Sequence, residues 1–184
     1  MLINVMIGCL GFNIKPLSYL AIKNIKIHYY NNLLTYDIYK NDKILDTTLL
    51  TAEHVFPKSY TKQYNNAKKD MHNIFLTDAK TNIYRSNYPF ADKVEYQNLE
   101  MTNFYKFYHP CDFAKGQLAR SIAYMKIIYP NIDMNKVIDK ELMIEWNLLF
   151  EPNELEIKRN NLIYELQGNV NPFIEDPTNI YKFF

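Results

Sequence analysis

Three observations predict an α+β fold. Short alternating apolar runs are confined to the first half of the chain, long 3.6-residue apolar periods are confined to the second, and turn residues punctuate both. The 184 residues, with a formal net charge of +1, fit one domain over residues 1–184 and leave little room for a second core. The expected architecture is an N-terminal helix and hairpin, a strand–loop–strand–helix unit over about residues 49–87, and a helical half over about residues 114–168.

Leu17, Leu20, Ala21, Asn24, Ile25 and His28 follow Pro16 at i, i+3, i+4 spacing, which predicts a helix over about residues 17–29 with proline tolerated in its first turn. Thr35-Tyr36-Asp37-Ile38-Tyr39 alternates, breaks at Asn41-Asp42 and resumes at Ile44 and Leu45, the pattern of a hairpin. A strand over residues 49–55 runs into Pro57, and the Lys- and Asn-rich residues 58–69 read as a loop. Residues 71–77 read as a second strand, and Asp78 is placed to cap a short helix that ends near Asn87.

Long periods then take over. Residues 115–129 carry Leu118, Ile122 and Met125 on one face and stop at Pro130. Residues 135–150 carry Ile138, Leu142, Trp146 and Leu149. Pro152 opens a third helix with Leu155, Leu162, Ile163 and Leu166, and Gly168 follows as a natural residue for the left-handed C-terminal cap. These stripes read as core. No internal repeat suggests a solenoid.

Composition removes several function classes. With 48% hydrophobic and 22% charged residues, the chain is a packed protein and not a disordered one. Two cysteines, Cys9 and Cys111, cannot build a disulfide framework or a cysteine-based zinc site. No GxxxxGK or GxGxxG string provides a usual nucleotide-binding loop. The bias to Asn, Ile, Lys and Tyr, with 18 Lys against 3 Arg, reads as the mark of an AT-rich genome. No apolar stretch reaches the 18 or so residues of a membrane-spanning helix. Residues 1–14 are uncharged and mostly apolar but lack a basic leader and a small-x-small cleavage signal, so a buried or docking arm is expected there.

The net charge conceals an uneven distribution. Between His54 and Asn87, six basic residues (Lys58, Lys62, Lys68, Lys69, Lys80, Arg85) face two acids (Asp70, Asp78), a balance of +4. Residues 131–168 hold eight acids and four bases, a balance of −4.

The basic segment also holds the chemistry. In Thr51-Ala52-Glu53-His54-Val55-Phe56-Pro57-Lys58-Ser59 an acid and an imidazole are consecutive at a strand end, where neighbours point to opposite faces unless the strand bends. Asp70-Met71-His72-Asn73 opens the next strand, and Asn82 and Arg85, three apart, share a face of the following helix, with Asn87 just beyond. Hydrolysis of a phosphodiester needs a base that works near neutral pH, which suits His54. It also needs a hard cation, and the Glu53 carboxylate and Asn82 amide oxygen suit Mg²⁺ while leaving room for phosphate oxygens.

These strings, with Lys115-Gly-Gln-Leu-Ala-Arg120, Tyr124-Met125, Arg159-Asn160 and Gln167-Gly-Asn-Val-Asn-Pro-Phe173, together resemble the endonuclease I family over about residues 20–177. Its members are secreted or periplasmic non-specific nucleases of the ββα-metal, or His-Me finger, superfamily. The resemblance implies a ββα-metal finger over about residues 49–87, with His54 as general base and Glu53 and Asn82 as ligands of one Mg²⁺, which Ca²⁺ or Mn²⁺ could replace. It implies cleavage of DNA, and often RNA, to 5′-phosphate products with little sequence preference. That indifference fits a basic segment contacting phosphates, which carry no base identity. Arg85 is a candidate for stabilising the phosphate or leaving group, and Asp70, His72, Asn73, Asn87 and Lys58 are candidates for supporting the site or touching substrate.

Two departures from the family stand out. The chain lacks the several cysteines and the plain export signal of many members, which points to an intracellular or virion-associated protein. The loop after His54 is also short, so the basic residue the family places there has only Lys58, Lys62, Lys68 and Lys69 as stand-ins. A monomer is expected. The alternative readings are a catalytically silent nucleic-acid-binding or particle protein of the same fold, and a structure-specific nuclease.

Overall fold

The structure, a computed structural model, describes residues 36–41, 50–92 and 107–184. The expected helix over residues 17–29, the apolar arm of residues 1–14 and the second half of the hairpin lie outside the described residues.

The described residues combine a small sheet with helices, an α+β arrangement. Strand β1 (Leu50–His54) pairs antiparallel with β2 (Ile74–Asp78), in a register that sets Glu53 opposite Phe75 and His54 opposite Ile74. One further bond, from Val55 N–H to the Asn73 carbonyl at 3.1 Å, closes the ladder. Helix α1 (Ala79–Arg85) follows β2 directly, because the Asp78 side chain accepts from the Lys80 and Thr81 N–H groups. That cap is where the sequence places it. The helix ends at Arg85, two residues early, where Ser86 takes φ 53°.

Two expected strands are shorter than their patterns. Tyr36 to Tyr39 alternates, but the chain turns over residues 38–40 because Asp37 holds it. Its Oδ1 accepts from Tyr39 N–H, and its carbonyl accepts from the Lys40 and Asn41 N–H groups. Before β2, Met71–Asn73 forms a 3₁₀ turn in which Asp70 caps the His72 N–H, so pairing starts only at Ile74. Local capping outcompetes the ladder in both places. The loop over residues 58–69 holds a single 3₁₀ turn, Lys58–Tyr60.

Helix α2 (Asp112–Ile128) starts three residues before the expected residue 115, and its middle is buried on all sides. The predicted helix over 135–150 divides into a 3₁₀ turn, Met134–Lys136, and α3 (Lys140–Leu149), which begins where Asp139 caps the Leu142 N–H. Helix α4 (Glu154–Gln167) is capped by Asn153 and ends on Gly168, whose φ of 86° is the left-handed conformation expected of it. Two short helices, α5 (Pro172–Glu175) and α6 (Ile180–Phe183), follow.

The main apolar core gathers Val55, Phe56 and Phe75 with Leu118, Ile122, Met125, Met143, Trp146 and Phe173. A second, smaller core packs Leu50, Met71 and Leu76 against Leu162 and Ile163 of α4. Gly116 lets α2 approach the end of α3: a Cβ there would stand 2.2 Å from the Phe150 carbonyl oxygen. That carbonyl accepts from Arg120 Nη1 at 2.8 Å.

Candidate active site

The end of β1 is where chemistry-bearing side chains meet. Glu53 is 2% exposed. Its Oε1 accepts from the Tyr39 hydroxyl at 2.6 Å and lies 3.4 Å from Arg85 Nε. Oε2 carries neither contact. Burial pushes the Glu53 carboxyl above its ordinary value, against the downward pull of Arg85 and the Tyr39 hydrogen bond.

His54 ends β1 with its Nε2 3.0 Å from the Lys68 carbonyl oxygen. A carbonyl can only accept, so Nε2 carries the proton of the neutral ring and Nδ1 keeps its lone pair. Burial pushes the imidazole pKa down to about 4, and the charges of Lys58 and Arg85 add to that, while the Lys68 and Ala52 carbonyls pull the other way. The ring is therefore neutral at physiological pH.

Helix α1 delivers Asn82 and Arg85 to this strand end. Asn82 Nδ2 donates to Thr51 Oγ1 at 2.9 Å and to the Ala52 carbonyl at 3.3 Å. The amide nitrogen is thus held by the two residues before Glu53.

Arg85 is 1% exposed. Its Nη2 donates to the Val55 carbonyl at 2.7 Å and Nη1 to the Ser86 carbonyl at 3.1 Å, with the His54 carbonyl at 3.5 Å and the Phe90 ring centroid 4.6 Å from Cζ. The guanidinium satisfies carbonyls left where the ladder ends and also holds Glu53. A phosphate contact would require it to leave these partners.

The other expected residues fall into two groups. Lys58 is exposed in the 3₁₀ turn after Pro57, near enough for its charge to act on Glu53 and His54. Asn87 is exposed and donates to the Tyr60 hydroxyl at 3.1 Å. Asp70, His72 and Asn73, by contrast, are buried in the packing between β2 and α2. Asp70 Oδ1 accepts from His72 N–H and Gln167 Nε2, and Oδ2 accepts from the Tyr124 and Tyr129 hydroxyls at 3.0 and 2.9 Å. His72 Nε2 lies 3.1 Å from the Asn169 carbonyl, and its ring packs on Tyr124 with centroids 4.4 Å apart. Asn73 brackets Phe56: its Oδ1 accepts from that residue's N–H and its Nδ2 donates to the carbonyl.

Tyr39 is the residue that sequence reasoning missed. Its alternation with Asp37 reads as strand pattern, and nothing local ties a hydroxyl to a carboxylate 14 residues away.

The endonuclease I family model matches residues 31–178. The chain is 32% identical to an extracellular deoxyribonuclease of Aeromonas hydrophila over 123 residues, 62% of this chain and 53% of that protein. It is 30% identical over 146 residues to an extracellular ribonuclease of Bacillus subtilis (strain 168), 68% of this chain and 50% of that protein. An endonuclease-1 of Buchnera aphidicola subsp. Baizongia pistaciae (strain Bp) is 27% identical over 126 residues, 60% of this chain and 48% of that protein. The chain spans about half the length of the curated relatives it matches. It belongs to the endonuclease I family.

Proposed function

We propose that this protein is a Mg²⁺-dependent endonuclease of the ββα-metal type. It hydrolyses phosphodiester bonds of DNA, and of RNA, to 5′-phosphate products with little sequence preference. The observation that carries the reading is a buried histidine, its Nε2 turned onto a backbone carbonyl, at the same strand end as a buried carboxylate and an amide from the following helix. The family and its named deoxyribonuclease and ribonuclease members support the same chemistry.

In this mechanism His54 Nδ1 takes the proton of the attacking water, for which the neutral ring is already prepared. Glu53 and Asn82 hold one Mg²⁺. A carboxylate and an amide offer hard oxygen donors, which suit a hard ion that keeps several waters. When bound, the ion neutralises charge on the phosphate and the departing oxygen. Tyr39 and Arg85 fix the Glu53 carboxylate from the protein side, and Lys58 adds positive charge at the rim.

Digestion of plasmid DNA and of an unrelated RNA, with Mg²⁺ and with EDTA, tests the reading. Smeared products in Mg²⁺ and none in EDTA are expected. His54→Ala should lower the rate about 100-fold or more while leaving DNA binding intact. Glu53→Ala and Asn82→Ala should be partly rescued by high Mg²⁺. A wild-type protein that cleaves neither substrate would sink the nuclease reading, and full activity of His54→Ala would sink the base assignment.

A further inference from the structure

The helix that carries Asn82 also carries two large side chains that the fold leaves largely exposed. Ile83 is 79% exposed and Tyr84 75% exposed, and Ser86 and Asn87 after them are exposed as well. In this seven-residue helix Arg85 is fully buried, so Ile83 and Tyr84 sit together on its exposed side.

Their surroundings indicate what covers them. The Tyr84 ring meets the Tyr108 ring edge-on at 6.2 Å; Tyr108 packs on Tyr39 at 4.7 Å; and the Tyr39 hydroxyl is bonded to Glu53. A ladder of tyrosines thus leads from the exposed ring to the carboxylate of the candidate site. On the other side, Asn87 connects the end of α1 to Tyr60, in the same 3₁₀ turn as exposed Lys58. The exposed Tyr84 ring belongs to the segment, residues 54–87, with a charge balance of +4, which favours a polyanion over an apolar partner. An exposed aromatic side chain in a positively charged segment is the combination that holds unpaired nucleobases, because every base has a face to stack while the backbone follows the positive charge.

We propose that Tyr84, flanked by Ile83, is a stacking platform for an unpaired base next to the scissile phosphate, so that the protein favours single-stranded or locally unwound nucleic acid over a closed duplex. This rests on the nuclease reading above. Bases in a closed duplex keep their faces covered by neighbours, so the platform contributes only when the strand is open.

The test compares wild type with Tyr84→Ala and Tyr84→Trp on a single-stranded oligonucleotide and on a blunt hairpin duplex. Fluorescence anisotropy in EDTA, where hydrolysis is off, gives binding, and Mg²⁺-dependent cleavage gives KM and kcat. Tyr84→Ala should weaken single-strand binding at least about 5-fold, the lower end of what one base–aromatic stack contributes. The loss should appear in KM and be much smaller on the duplex, and Tyr84→Trp should restore binding. Ile83→Ala, beside the platform, should give a smaller loss of the same selectivity. Equal losses on both substrates, or none on either, would overturn the proposal. So would a Tyr84→Ala protein whose only change, by sedimentation, is loss of self-association. Wild type that cleaves DNA while Tyr84→Ala binds like wild type refutes the platform alone; wild type that cleaves nothing refutes the reading beneath it.

Discussion

In residues 50–87 the buried ionisable groups Glu53, His54 and Arg85 lie at one strand end, whereas in residues 112–184 buried polar groups close on each other and on backbone. Arg120 lies on Glu156 through two bonds, 2.8 and 2.6 Å, and donates to the Asn147 and Phe150 carbonyls. Asn171 Nδ2 donates to the Arg120 carbonyl, and its N–H donates to Asn160 Oδ1. The helical half also reaches into the small sheet. Arg159 donates to the Met71 and Ile74 carbonyls with its guanidinium 3.8 Å from the Phe75 ring centroid, Gln167 Oε1 accepts from Met71 N–H, and Ser121 donates to the His72 carbonyl. Two strands of five residues are marginal alone. The helical half satisfies the backbone that enters β2 and so braces the strand against which β1 pairs.

This division can be broken most forcefully at Arg120. Arg120→Met leaves Glu156 buried and unpaired, and should cost about 3–5 kcal/mol of stability in denaturant unfolding. Replacing both partners with apolar residues should recover most of that loss. If the helical half is scaffold, whatever variant remains folded keeps the wild-type turnover per folded molecule; a fall in that figure would mean the division is wrong.

Tyr39→Phe probes the opposite side of the comparison. It removes one hydroxyl from Glu53 and nothing from the core, so activity titrated with Mg²⁺ should weaken about 10-fold or more, as supporting partners of ligands commonly do. The unfolding free energy should move by no more than about 1 kcal/mol. A large stability loss with unchanged Mg²⁺ dependence would make Tyr39 part of the scaffold.

The smallest effect concerns pH. Burial pushes the His72 ring down to about 3, with the Arg159 charge adding to it, and its Nδ1 has no hydrogen-bond partner. Below the unfolded value of about 6.5, the unfolded chain takes up a proton that the folded chain refuses. Stability should therefore fall as pH drops from about 6.5 toward 3, by up to about tenfold in the folding equilibrium per pH unit. His54, pushed down to about 4, acts in the same direction. Asp70 and Glu53, both pushed up, act in the opposite one. The readout is consequently the difference between wild type and His72→Gln, whose stability should depend on pH less steeply by one proton. Identical slopes would show that His72 is not buried neutral.

Much of this arrangement is legible from local chemistry. Asp78 and Gly168 mark helix ends because a cap is a contact between residues two to four apart, whereas Asp139 and Asn153, which cap α3 and α4, are passed over when those helices are started at residue 135 and at Pro152. Glu53, His54 and Asn82 stand out because the chemistry asks for those side-chain types, and the register of β1 against β2 with α1 behind it brings them to one end of a strand. The early turn at Asp37 and the 3₁₀ turn after Asp70 are missed by alternation because a single carboxylate capping backbone N–H groups overrides a period-2 pattern.

By itself, the sequence determined the kind of elements, their order and the residue types available for a site. Only the tertiary structure decided which atom of each side chain is engaged. Lys68 takes Nε2 of His54, Arg85 turns inward onto strand-end carbonyls, Tyr39 reaches Glu53, and Asp70 is spent on Tyr124, Tyr129 and Gln167. The physical reason is range. Periodicity and capping act over a few residues, whereas these bonds join positions 14 to 97 residues apart and exist only once the packed core has closed the chain around them.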